Sequence, residues 1–219
     1  MSLTLVERFL RGLEISPDRP ALKVGSDVVS YREVHERALL WAGSLRAAGG
    51  GVPGAVGVLA GKSVTTYVGL LAVLYAGGTV VPLQPNFPAE LTRRMIRVAG
   101  VDLVIADGRG LGVLPEVVDE GTVVRVLDTG GCPEGFVSVP VVASAALGEP
   151  VEVVSSDPAY VLFTSGSTGV PKGVPVLHRG FSSYFDESDR RGDFGPADVF
   201  SQTFDLNFDP GIHDVFIAW

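Results

Sequence analysis

With a single cysteine, Cys132, the chain of 219 residues has no means of forming an internal disulfide, and a reducing cytoplasm is the expected compartment. Cys132 lies in a Gly/Pro-rich stretch and reads as a bystander rather than a nucleophile. Histidine is scarce as well. His35, His178 and His213 are scattered at no metal-site spacing, so no protein-bound metal is expected. Lysine and arginine number 17 against 25 acids, a formal charge of −8. The chain therefore lacks the basic face that nucleic acid or an acidic membrane requires. Its apolar runs are broken by Gly and Pro short of a membrane span. Glu7 and Arg8 fall where a secretory signal would be apolar.

Apolar residues are plentiful, at 46%, enough to bury a sizeable core. Leu5 to Leu13 has helical spacing. Ala21–Val24 and Val28–Ser30 read as short strands around Gly25-Ser26-Asp27. Ser30-Tyr31-Arg32-Glu33 fits a capping box, and its helix runs to the triplet Gly49-Gly50-Gly51. Strands at 55–59, 79–83 and 102–106 then alternate with helices that start at Ser63 and Pro88. This alternation predicts an α/β fold with a mostly parallel sheet flanked by helices. The segment 107–157 is rich in Gly, Val, Pro and acids, with one strand candidate at Thr122–Leu127, and reads as a variable excursion. Val199–Thr203 reads as a further strand, and a helix is expected from Gly211 onward.

Two regions carry chemistry. In the first, the apolar run Tyr160–Phe163 leads into Thr164, Ser165, Gly166, Ser167, Thr168 and Gly169, followed by Pro171, Lys172 and Gly173. Glycines let successive backbone N–H groups point at one spot, hydroxyls add donors, and Lys172 adds a positive charge. That set suits a polyphosphate. It is not the common P-loop, because Pro171 precedes the lysine and Gly173 follows it. In the second region, Asp205, Asn207 and Asp209 lie between the expected strand and helix. In an α/β fold, the carboxyl end of a strand is where ligands bind. Asp209, next to Pro210, could equally cap the helix.

The run Thr164-Ser-Gly-Ser-Thr-Gly-Val-Pro-Lys-Gly-Val174, with His178 behind it, resembles the phosphate loop of the adenylate-forming (AMP-binding) superfamily. That superfamily includes acyl-CoA synthetases, luciferases and nonribosomal-peptide adenylation domains. Val29–Val34 and Leu74–Leu83 are similar to two earlier motifs of the family, with Gln84 where the family usually has Asp. The resemblance implies the N-terminal part of the large domain of such an enzyme, incomplete over residues 1–219. The C-terminal small domain and its catalytic lysine, the adenine-stacking motif and the ribose-binding aspartate have no counterpart here.

The implied reaction joins a carboxylic acid to the AMP part of ATP, with Mg²⁺, and releases pyrophosphate. The resemblance implies that Thr164, Ser165, Gly166, Ser167, Thr168, Gly169, Lys172 and Gly173 hold the nucleotide. Lys172, Thr168 and His178 are the implied catalytic positions. In amino-acid adenylation domains a Phe-Asp pair meets the substrate's ammonium, and Phe208-Asp209 matches it best, with Phe204-Asp205 as a duplicate candidate. His213 falls on a pocket-facing position. The expectation is a fragment of an amino-acid-activating ligase that needs a C-terminal portion or a complementary chain for turnover. A carrier protein is the implied acceptor. An acyl- or aryl-acid activator and a non-catalytic half-domain remain open. A complete nucleotide hydrolase would need a second motif that is not found.

Overall fold

The computed structural model describes residues 3–164 and 171–219. Helix α1 (Leu5–Ile15) opens on a capping box, Thr4 with Glu7. A two-stranded antiparallel ribbon follows, β1 (Pro20–Val24) with β2 (Asp27–Ser30). Ser30 and Glu33 form the expected capping box of α2 (Tyr31–Gly49), which ends on left-handed Gly50 at φ 68°. Glycine is favoured there because a Cβ would crowd the following carbonyl.

The main sheet comprises β3 (Ala55–Leu59), β4 (Thr79–Leu83), β5 (Leu103–Ala106), β6 (Arg125–Asp128), β7 (Val137–Pro140), β8 (Pro158–Thr164) and β9 (Lys172–Leu177). Their spatial order is β7-β6-β5-β3-β4-β8-β9, and only the last pair is antiparallel. Between the strands run α3 (Val64–Tyr75), α4 (Ala89–Ala99) and α5 (Gly108–Val117). The chain closes with α6 (His178–Arg191) and α7 (Asp209–Ala218).

Alternating strand residues feed two apolar layers. Val58, Val80, Leu103 and Ile105 pack with α1, α2, α3, α6 and α7. Leu59, Val81, Val104 and Ala106 pack with α4 and α5. The sheet is thus covered on both faces, as parallel sheets require. Helix α3 is apolar almost all round because α2 covers its outer side.

Two sequence expectations change. The stretch 107–157 contributes α5, β6 and β7 to the body of the fold, where one strand was expected. Val199–Thr203 is not a strand. Its backbone groups bond to side chains instead: Lys62 Nζ donates to the carbonyls of Gln202 (3.2 Å) and Thr203 (2.6 Å), and Asp214 accepts from the Thr203 N–H (3.2 Å). Strand propensity has no effect without a neighbouring strand to share the ladder.

Candidate functional site

The chemistry gathers at the carboxyl edge of the parallel strands. Strand β3 is followed by a helix on one face of the sheet and β4 by a helix on the other, so their ends border a crevice. It is lined by Gly61, Lys62, Tyr67, Gln84, Gln202 and Asp205. Asp107, at the end of β5, bolts one wall. Its carboxylate accepts from the Gly61 N–H (2.9 Å) and caps α5 through Arg109 and Gly110. The Tyr67 phenol donates to Gln202 at 3.0 Å. Burial, with Asp205 and Asp214 nearby, pushes its pKa up to about 12, so it stays protonated.

Strand β8 is parallel to β4 and ends on the same edge. Thr164 and Lys172 are register partners across the β8–β9 pair, both exposed, and they flank the segment 165–170. Ser165, Gly166, Ser167, Thr168 and Gly169, the middle of the expected phosphate loop, lie outside the described residues. Gly173 is held close: a Cβ there would stand 3.1 Å from Val161 and 3.3 Å from Phe163. The exposed ends of this strand pair thus offer a hydroxyl and an ammonium together, a donor set fit for phosphate oxygens.

His178 begins α6 and is buried. Its Nδ1 accepts from the Leu5 N–H at 3.2 Å, which docks α1 against α6. Burial lowers its pKa, while Asp157 and Glu7 pull it back up.

Asp209 is the first residue of α7, one place inside the cap residue Phe208, and the helix has no side-chain cap bond. It therefore does not serve as the cap. Instead it accepts from the phenol of Tyr160 on β8 at 3.3 Å. Tyr160 is fully buried and leans on Phe181, and its pKa is far above the ordinary phenol value, chiefly through burial. Asp205, Phe208 and Asp209 are exposed, and Gly211 is wedged against the Asp205 carbonyl, where a Cβ would sit 2.2 Å away. That contact sets the turn between 205 and α7.

His213 follows Asp209 by one helical turn and so shares its face. It stacks on Phe185 (centroids 5.5 Å, 13°) and meets Tyr184 edge-on at 4.6 Å. The structure therefore joins Asp209 to β8 and His213 to α6. The sequence reading missed Tyr160, Lys62, Tyr67, Arg8 and Phe185 as parts of this neighbourhood. Only Tyr160 carried a signal, as the aromatic that opens the apolar run before Thr164.

No helix among the described residues is long and apolar enough to cross a membrane. Residues 9–219 match the family model described as AMP-binding enzyme. Phenyloxazoline synthase MbtB of Mycolicibacterium paratuberculosis is 32% identical over 217 residues, 98% of this chain and 17% of that protein. The crystal structure of IdnL7 superposes with a TM-score of 0.88 at 48% identity, covering 99% of this chain and 43% of that one. The nonribosomal peptide synthetase FmoA3 in its AMPPNP-bound form gives 0.78 at 28% identity, covering 99% and 22%. The chain thus spans less than half the length of each of these proteins.

Proposed function

The chain belongs to the AMP-binding enzyme family, and on that premise we propose that it forms the N-terminal part of an adenylation domain that activates an amino acid. The acid's carboxylate attacks the α-phosphorus of ATP, a new O–P bond forms, and pyrophosphate leaves. The observation that carries this reading is the bond from Tyr160 to Asp209. It sets a carboxylate beside the strand that leads to Thr164 and Lys172.

Each residue then has a task. Lys172 and Thr164 hold phosphate oxygens at the carboxyl edge, and Ser165, Ser167 and Thr168 add donors. Gly166, Gly169 and Gly173 let backbone approach closely. Asp209 receives the substrate ammonium as its counter-charge through a charge-assisted hydrogen bond. Phe208 and His213 shape the pocket beside it, and His178 holds α6, which forms its wall. Such catalysis is mainly positioning and charge neutralisation. Among the described residues no three His, Cys, Asp or Glu side chains gather into a metal site. Mg²⁺ is therefore expected to arrive with the nucleotide. A carrier-protein thiol is the expected acceptor of the activated acid, and a C-terminal portion or complementary chain is expected to complete the domain.

The test is calorimetric binding of ATP with Mg²⁺, and of amino, aryl and fatty acids, to the chain and to Lys172→Ala and Asp209→Ala. The reading expects nucleotide binding to be lost with Lys172 and amino-acid binding with Asp209. Binding of an aryl or fatty acid that is indifferent to Asp209 would instead identify an acyl or aryl activator.

A further inference from the structure

Arg8 on α1 is far from α6 and α7 in sequence, yet it is fixed to α7 at one point and to α6 at two. Its Nε donates to the Phe216 carbonyl at 2.6 Å, in the last turn of α7. Its two Nη atoms grip Asp189 of α6 at 2.9 and 2.8 Å. Its guanidinium carbon lies 4.3 Å from the centroid of Phe185, the ring on which His213 stacks. The Arg8 side chain is only 15% exposed. One aromatic ring thus serves both a fixed cation and the imidazole that stands one turn from Asp209.

Among the described residues, His213 is approached by charged and polar groups of three helices. Asp214, on its own helix, has Oδ1 3.9 Å from Nδ1. Arg8 approaches from α1, and Asp189 and Tyr184 from α6. The nearer of these carboxylates favours a proton on Nδ1. The Nε2 atom is buried with no hydrogen-bond partner among the described residues. A doubly protonated ring would bury an unanswered N–H there, whereas a neutral ring leaves only a lone pair.

We propose that Arg8 is a positioning residue of this pocket which, through Phe185 and its grip on Asp189, holds His213 uncharged next to Asp209. The consequence rests on the amino-acid reading above: a charged His213 would repel the ammonium that Asp209 receives, and a neutral one admits it. Burial is the largest influence and lowers the His213 pKa; Asp214 raises it, Arg8 lowers it and Asp189 raises it in turn.

The test is an NMR titration of the imidazole resonances of the whole chain, with His213 assigned by its loss in His213→Asn. The chain is compared with Arg8→Met and Arg8→Lys. His213 is expected to titrate below the free-histidine value, and Arg8→Met to raise its midpoint by about half a pH unit or more. Arg8→Lys, which keeps the charge, should raise it less. His35 and His178 should stay in place in all three. An unmoved His213 in Arg8→Met overturns the proposal, and so does a common shift of all three histidines, which would mark a purely structural role. Separately, α-amino acids and the matching acids without the amino group are added at neutral pH. A His213 midpoint that obeys Arg8 while no amino acid perturbs its resonance leaves the charge control standing and refutes the amino-acid reading.

Discussion

The phenol of Tyr160 donates to the carboxylate of Asp209 across 3.3 Å, joining strand β8 to the first turn of the last helix. Tyr160→Phe keeps the ring in its apolar seat and removes this bond alone. The expected cost is about 1 kcal/mol in urea unfolding, and the proposed amino-acid activation further expects weaker amino-acid binding. Tyr160→Ala, which empties a buried aromatic site, should cost about 3–5 kcal/mol.

Two glycines of α5 should answer oppositely to alanine. At Gly110 a Cβ would stand 1.7 Å from the Leu59 carbonyl, while at Gly112 it meets nothing within 4 Å. Gly112→Ala should stabilise the chain by roughly 0.5–1 kcal/mol, since glycine is the poorer helix former. Gly110→Ala should push α5 off β3 and lower the urea midpoint clearly. Equal effects of the two changes would contradict the packing.

Lys62 replaces a strand ladder for the segment before α7, through the carbonyls of Gln202 and Thr203. Lys62→Met should free that segment while the core stays folded. Limited proteolysis should then cut around 199–208 faster than in the unaltered chain, at unchanged far-UV circular dichroism.

Acid should weaken the fold through His178, whose Nδ1 accepts from Leu5 and is held deprotonated by burial. In the unfolded chain the ring titrates near pH 6.5, above its folded pKa. Between those two values the unfolded state holds the extra proton. Stability is therefore full above about pH 6.5 and falls as pH drops toward the folded value. The slope is at most about 1.4 kcal/mol per pH unit for this group. His178→Gln should flatten the dependence of urea unfolding on pH. His35 and His213, whose pKa values burial also lowers, supply a remainder of the same sign.

Local chemistry was readable from the sequence where it was decided locally. Ser30 and Glu33 announced their capping box, Gly50 its helix end, and the apolar runs at 55–59 and 79–83 their strands. Thr164 and Lys172 stand out in the sequence as candidate ligand groups, and the fold makes them register partners. What escaped depended on partners far along the chain. Val199–Thr203 has strand propensity but no strand beside it. β7, only four residues long and ending on a proline, forms because β6 supplies a ladder. Arg8 meets Asp189 across 181 residues, and no local pattern announces such a pair.

The place of β8 in the sheet also has a kinetic meaning. Strands β3, β4 and β5 are joined by short helical crossovers, so their pairing can form early. β8 pairs with β4 only through Val80 and Tyr160, across a far larger loop whose closure costs more entropy. A ribosome delivers those strands in the same order. The bare edge of β4 must therefore stay open during synthesis until β8 arrives, and it is the natural docking point for a chaperone or for a mispaired second chain.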